Sequence, residues 1–397
     1  MSNLPVATHF PHLEDLVFLG NNLGEGCARV LDIVGDWIRG DNPTQYMTLK
    51  WDGSPSLVMG KDPMTKKHFV ATKSIFNKIP KVNYTAEDIV MNHGKNPNLC
   101  KVLFLALDLT HRSTPTQILQ GDMLYTQENL QYFTFEDVEY FGFRTNTIQY
   151  AVKKGSPEAN RIMKSEMGIH FHSTLIGQFV TSLRAIYYVD PMSIGIVQGL
   201  YPLNTLSSSK ILPRNVSEEI GEQWGRVYES HRLVQYSMTS NCCGFLSDGL
   251  YEWLRQYENE RVRLNLGYFT GESYFDDARN WIANRFFDKQ SKLKQAHAIK
   301  QCQKMAGEIF DSLDRLQDLL IRVFDFQQQV VLLKEFLITK YSENSKYSCF
   351  VEERGKLRRT NHEGLVLHDR RVSMPVKLVN RSEFSRLNFL RFEEEVV

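Results

Sequence analysis

The chain has 397 residues, 42% apolar and 23% charged, which excludes a disordered chain, a collagen-like fibre and a small disulfide-stapled scaffold. Lys plus Arg number 47 against 46 Asp plus Glu, a net charge of +1, so no global field draws the protein to nucleic acid or membrane and any such affinity is local. The six cysteines form no CxxC pair and no zinc-spaced Cys/His cluster, and apolar runs such as Val102 to Leu107 fall far short of the ~20 residues of a membrane span. With no basic-then-apolar signal at the start, these features predict a soluble chain in a reducing cytoplasm, with no membrane partner.

His12 to Arg39 carries apolar residues at helical spacing, interrupted between Gly20 and Gly26, and reads as two short helices. Tyr46 to Lys50, Ser56 to Gly60 and His68 to Thr72 have β character and are separated by turn-forming stretches, which predicts an antiparallel meander. A helix follows around Leu99 to His111, then strands at Ile118 to Tyr125, Thr147 to Val152 and Ile169 to Thr174.

From Leu175 to Ser345 the strand pattern gives way to helical segments at Val216 to Tyr236, Leu246 to Leu264 and Ser291 to Tyr341. The last carries Ile309, Leu313, Leu316, Leu319, Leu320 and Val323 along one stripe, the mark of a helix buried against its neighbours. Strands resume at Ser348 to Val351, Leu365 to His368 and Pro375 to Leu378. The pattern is α+β: N-terminal helices over 1–40, an α+β domain in two parts over 41–175 and 346–397, and a helical insertion over 176–345.

Lys50-Trp51-Asp52-Gly53 ends a β segment and opens a turn, which holds a lysine amine at a fixed place on a sheet. Alone the motif is weak. It is followed in order by Gly121-Asp122 after an apolar strand, by Glu363-Gly364-Leu365-Val366-Leu367, and by Val376-Lys377-Leu378-Val379. With these four in place, the chain resembles the covalent nucleotidyltransferase superfamily of polynucleotide ligases and messenger RNA capping enzymes, whose motifs I, III, IV and V run in this order. VKLVNRSEFS is similar to the motif V region of type 2 and editing RNA ligases. KWDGSPS, ATKSIFNK and QGDMLYT together resemble ligase-like proteins of tailed bacteriophages.

The resemblance implies an ATP-grasp-like nucleotidyltransferase domain of antiparallel sheets, an inserted helical domain, and an ATP-dependent RNA ligase active in RNA repair. Lys50 would attack the α-phosphate of ATP, expel pyrophosphate and carry AMP as a phosphoramidate. The AMP then passes to a 5′-phosphate, and a 3′-hydroxyl displaces it. Every step is phosphoryl transfer, resting on positioning and charge neutralisation. By the same resemblance Glu363 and Asp122 would hold Mg²⁺, Lys377 would clamp the α-phosphate, and Asp52 and Lys73 would contact the nucleotide. Asp122 stands where the superfamily usually has a glutamate.

Tyr150 is the first choice of adenine platform, with Phe171 and His172 as alternatives. Val379 stands where the RNA ligase pattern has its second motif V lysine, which leaves three readings: Arg381 substitutes, the chain is slow or specialised, or it is no longer catalytic. Val351 to Arg391 holds ten Lys/Arg against five acids, and Lys61 to Lys81 six lysines against Asp62. Both segments read as a phosphate track, using Lys73, Arg358, Arg359, Arg381 and Arg386, and the resemblance to RNA ligases implies RNA in preference to DNA. Only twenty residues follow Lys377, too few for the OB domain that DNA ligases append there. A DNA ligase, another covalent nucleotidyltransferase and a nucleotide- or nucleic-acid-binding protein without turnover are the alternatives.

Overall fold

The computed structural model describes residues 10–18, 22–39, 45–51, 53–113, 115–187, 189, 199–202, 217–240, 248–267, 270–353, 355–369 and 375–385. The chain divides into two compact units, one of residues 1–46, 208–340 and 369–397, the other of 47–207 and 341–368. Residues 369–397, expected with the strands, thus group with the helices.

The second unit is α+β. Its six-stranded sheet has the order β10-β8-β4-β2-β3, with β9 beside β8; the strands are β2 (Ser56–Lys61), β3 (His68–Thr72), β4 (Ile118–Thr126), β8 (Met167–Ile176), β9 (Arg184–Ile186) and β10 (Leu200–Pro202). All pairs are antiparallel except β10 with β8. The short strands β9 and β10 fall where the sequence reads as helical only. Helix α2 (Ala86–His93) starts with a capping box between Thr85 and Asp88. Helix α3 (Pro97–Ser113) presents Cys100, Leu103, Ala106 and Leu107 at three- and four-residue spacing to Leu57, Met59, Val70, Leu119, Ile169 and Phe171.

A five-stranded antiparallel sheet runs β12-β11-β7-β6-β5, from β5 (Leu130–Phe135), β6 (Val138–Arg144), β7 (Ile148–Lys153), β11 (Ser348–Glu353) and β12 (Lys356–Thr360). Its two ends of sequence meet where Cys349 pairs with Tyr150. Strand β1 (Gln45–Leu49) is not part of a meander with β2: its neighbour is β13 (Gly364–Asp369), some 300 residues away in sequence.

The first unit contains α1 (Leu23–Arg39), α5 (Ser217–Ser240), α6 (Asp248–Arg263), α7 (Gly271–Ser291) and the 49-residue α8 (Ala296–Asn344), which ends beyond it; α4 (Pro157–Lys164) belongs to the second unit. The Ile309-to-Val323 stripe is buried as the spacing requires. A 3-10 helix (Glu14–Phe18), strand β14 (Val376–Val379) and a π turn (Arg381–Ser385) complete it. At its centre Lys334 Nζ donates to Glu14 Oε1 at 2.8 Å, and Arg381 pairs with Asp15 at 2.9 Å and donates to Asn259 Oδ1 at 2.9 Å.

Candidate active site

Lys50 stands one residue past β1, where the chain crosses between sheets. Its N–H donates to Gly364 O at 2.9 Å, and four residues later the Ser54 N–H donates to Met123 O on β4 at 2.9 Å. Met123 N–H returns a bond to Pro55 O at 3.0 Å. Gly53 is required here by close approach: a Cβ would stand 2.6 Å from Met123 O and 2.8 Å from Leu124 Cδ2. Trp51 anchors the crossing in the core, its ring 4.8 Å from Tyr150 and 5.2 Å from Tyr347.

The Lys50 ammonium donates to Glu363 Oε2 at 3.1 Å and to Trp51 O at 3.3 Å. Glu363 immediately precedes β13, so the β1–β13 pairing itself delivers the carboxylate to the amine. Lys50 also lines a cleft of about 440 Å³ with Trp51, Gly53 to Ser56, Thr72, Lys73, Leu99 and Asp122, a volume suited to a small ligand.

Asp122 enters from β4, opposite Ser56 on β2 and His170 on β8. A Cβ at Gly121 would lie 2.5 Å from His170 O, so glycine lets β4 and β8 approach beside it. His172 Nε2 is 3.8 Å from Asp122 Oδ1, and its Nδ1 is 2.7 Å from Ser173 Oγ. Burial works against ionisation of Asp122, but hydrogen bonds from His172 and Ser56 and the field of His170 outweigh it and hold the pKa below the ordinary aspartate value. Asp122 therefore contributes a negative charge to a cleft that also holds Lys50 and Lys73.

Lys50, Asp122 and Lys73 thus share one cleft, and Glu363 pairs with the lysine. Lys73 is exposed and opens a short 3-10 helix (Lys73–Phe76) capped by Thr72. Tyr150 is not a base platform: it is fully buried between Trp51 and Phe143 on the five-stranded sheet, because Thr147 to Val152 carries no charge on either face. Phe171 is likewise buried under α3. His172, half-buried beside Asp122, is the alternative that reaches the neighbourhood of the cleft.

Arg381 does not offer its charge to a phosphate. It is 6% exposed and held by Asp15, Glu14 and Asn259 in the helical unit. Its acidic partners lie some 365 residues away in sequence, so nothing local signals the pairing. Lys377 sits on β14 in the same unit, its backbone bonded to Pro11 O at 2.9 Å and accepting from Leu13 N at 3.0 Å. Arg358 and Arg359 lie on β12, the end strand of the five-stranded sheet, with Arg358 paired to Glu353 at 3.2 Å and Arg359 donating to Ser348 Oγ at 3.4 Å. Asp52 and Arg386 lie outside the described residues.

Sequence reading assigned no part to Ser56 or to the orienting role of His172; strand register is the signal for Ser56, which falls in one row with Asp122 and His170 across β2, β4 and β8, whereas His172 sits at a register shift between β4 and β8 that no local pattern announces. Among the described residues, no three His, Cys, Asp or Glu side chains form a metal-binding group. Glu363 and Asp122 nevertheless offer the one or two hard oxygen ligands that Mg²⁺ takes from protein when phosphates complete its shell. Cys27, Cys100, Cys302 and Cys349 are free and buried, and no described helix is long and apolar enough to cross a membrane.

Fold and site define a mixed α+β protein with a lysine–carboxylate pair at the mouth of a cleft. The chain belongs to a family of unknown function, DUF6267, whose model matches residues 7–392. Neither curated proteins nor solved structures give a match.

Proposed function

We propose that the protein is an ATP-dependent polynucleotide ligase that works through a nucleotide carried on Lys50, with RNA ends as its preferred acceptors. The observation that supports this reading most is that Lys50 and Asp122, far apart in sequence, line one cleft while Glu363 bonds the Lys50 ammonium. They are three of the four residues that the motif order singles out; the fourth, Lys377, lies on β14 in the other unit.

A lysine amine attacks a phosphorus atom only when unprotonated, and its ordinary pKa is ~10.4. The Glu363 carboxylate at 3.1 Å orients the amine and favours its charged form. Drawing that carboxylate away, or placing Lys73 and further positive charge nearby, releases the proton. Lys50 Nζ then forms a bond to the α-phosphorus as the bond to pyrophosphate breaks. Glu363 and Asp122 would hold Mg²⁺, which when bound neutralises phosphate oxygens. Lys73 faces the same anion as a point charge.

The test is incubation with α-labelled ATP and Mg²⁺, followed by denaturation. Acid-labile label on the polypeptide, absent from Lys50→Ala, is the expected result. Equal labelling of wild type and variant removes Lys50 from the chemistry. Label from GTP but not ATP shifts the reading to capping-type transfer.

A further inference from the structure

A second cavity, of about 600 Å³, is lined by Lys81, Val90 to Asn96 and Leu99. Leu99 also lines the Lys50 cleft, so the two hollows share a wall within the α+β unit. The larger one is floored by the end of α2, the Gly94-Lys95-Asn96 turn and the first turn of α3. Its wall supplies Lys81, His93, Lys95, Asn92 and Asn96, and no carboxylate. Lys78 adds a further exposed cation on the loop between Lys73 and Lys81.

Apolar side chains are exposed on the same segments: Phe76 is 48% exposed, Ile79 84%, Val90 57% and Met91 76%. Phe76, on the segment that carries Lys78 and Lys81, offers one aromatic face on which a base can stack, and Val90 and Met91 in the cavity wall offer apolar contact, beside lysines that phosphates seek. An acidic protein surface would satisfy the lysines but leave this apolar rim in water. An apolar partner would bury the rim but strand the lysines.

We infer that this groove holds a single-stranded polynucleotide and leads its reacting end toward Lys50, an inference that rests on the Lys50 cleft being a nucleotidylation site. Phosphates run past Lys78, Lys81 and Lys95, and bases lie against Met91 and Phe76. Asn92 Nδ2 is held by Asn83 Oδ1 at 3.0 Å and Asn96 Oδ1 accepts from Leu99 N–H at 3.0 Å, which leaves Asn92 Oδ1 and Asn96 Nδ2 for the sugar and base edges, where polar groups are needed to tell RNA from DNA.

The test uses the full chain and a fluorescein-labelled 12-nucleotide RNA followed by anisotropy over a salt series. Lys78→Gln/Lys95→Gln is the first variant, because neither lysine supports another element. Lys81→Gln is the second, since Lys81 Nζ also donates to Asn92 O at 3.1 Å. The double variant is expected to bind about tenfold more weakly, with a log–log salt slope smaller by about 1.4, the value for two phosphate contacts on a single strand.

Unchanged affinity and slope in both variants overturns the groove. So does displacement of the RNA by polyglutamate at equal charge concentration, which makes an acidic polypeptide the occupant. Labelling by α-labelled ATP in the same preparations reads the parent proposal separately. Weakened RNA binding with wild-type labelling supports both, and weakened binding without any labelling supports the groove while removing the nucleotidylation reading.

Discussion

Each unit contains a lysine–carboxylate pair with a buried carboxylate close to a lysine drawn from far along the chain, Lys334–Glu14 in one and Lys50–Glu363 in the other, and these two are built differently. In the helical unit Lys334 and Glu14 lie 2.8 Å apart with side chains 1% and 2% exposed. In the α+β unit Lys50 and Glu363 lie 3.1 Å apart with 23% and 9% exposed, at a cleft. Burial pushes the Glu14 carboxyl up, but Lys334, His12 and Arg381 pull it down further, to about 2. Such a pair is committed to packing, because its neighbours on every side are protein groups fixed by the fold. The Lys50 pair opens onto a cleft of about 440 Å³, so solvent or a ligand can reach the lysine. Access to a cavity, more than distance, separates the two pairs.

The largest effect that sharpens this contrast is loss of one half of the closed pair. Lys334→Met leaves Glu14 buried without its main partner and is expected to cost roughly 3 to 5 kcal/mol in denaturant unfolding. Lys50→Met also strands a buried carboxylate, but beside a cleft that water can enter, and is expected to cost less, roughly 1 to 3 kcal/mol, while abolishing labelling. Similar losses at both positions would erase the distinction. The closed pair also fixes an acid limit. Because Glu14 is depressed from 4.5 to about 2, its contribution is complete above pH 4.5 and lost as pH falls toward 2.

Next in size is Glu363→Gln. If Lys50 carries the nucleotide as proposed, removing the carboxylate that orients its amine and would hold Mg²⁺ is expected to lower the labelling rate by about 10² to 10³, or roughly 2 to 4 kcal/mol of transition-state stabilisation. The variant keeps the wild-type unfolding midpoint to within about 1 kcal/mol. A rate near wild type places Glu363 with the packing carboxylates after all.

The smallest concerns Glu258, on α6 in the helical unit. Burial lifts its carboxyl to about 7, against the opposing pull of Tyr274 and Arg381. Its folded pKa lies above the 4.5 of the unfolded chain, so stability falls as pH rises from about 4.5 through 7. Glu258→Gln removes this dependence and is expected to gain on the order of 2 to 3 kcal/mol at pH 8 relative to wild type. Parallel stability–pH curves for the two proteins contradict the assignment.

Strands whose apolar residues sit on a packed sheet were legible: β2, β3, β4 and β8 fall where alternation and turn residues place them. The β5–β6 hairpin was not, because its turn is Glu136-Asp137, both at positive φ (49° and 61°), where Asn-Gly or Asp-Gly is the usual signal. Strand β12 reads Lys-Leu-Arg-Arg-Thr and has too little apolar content to announce itself. The β1–β13 pairing is invisible to any local pattern, though the motif order named Lys50 and Glu363 without it. Burial misled the reading of Tyr150 and Arg381: composition says what a side chain offers, and only the tertiary fold decides whether solvent can reach it.

The charges on β12 have a second consequence. This strand ends the five-stranded sheet, and a sheet edge is a template on which another chain can add itself. Lys356, Arg358 and Arg359 place three cations on five residues of that edge, so a second copy approaching in register meets like charge and must strip water from each. Neutralising Arg358 and Arg359 to test for phosphate contact therefore also unlocks a route to self-association. A loss of activity in such a variant is informative only beside a measurement of its sedimentation.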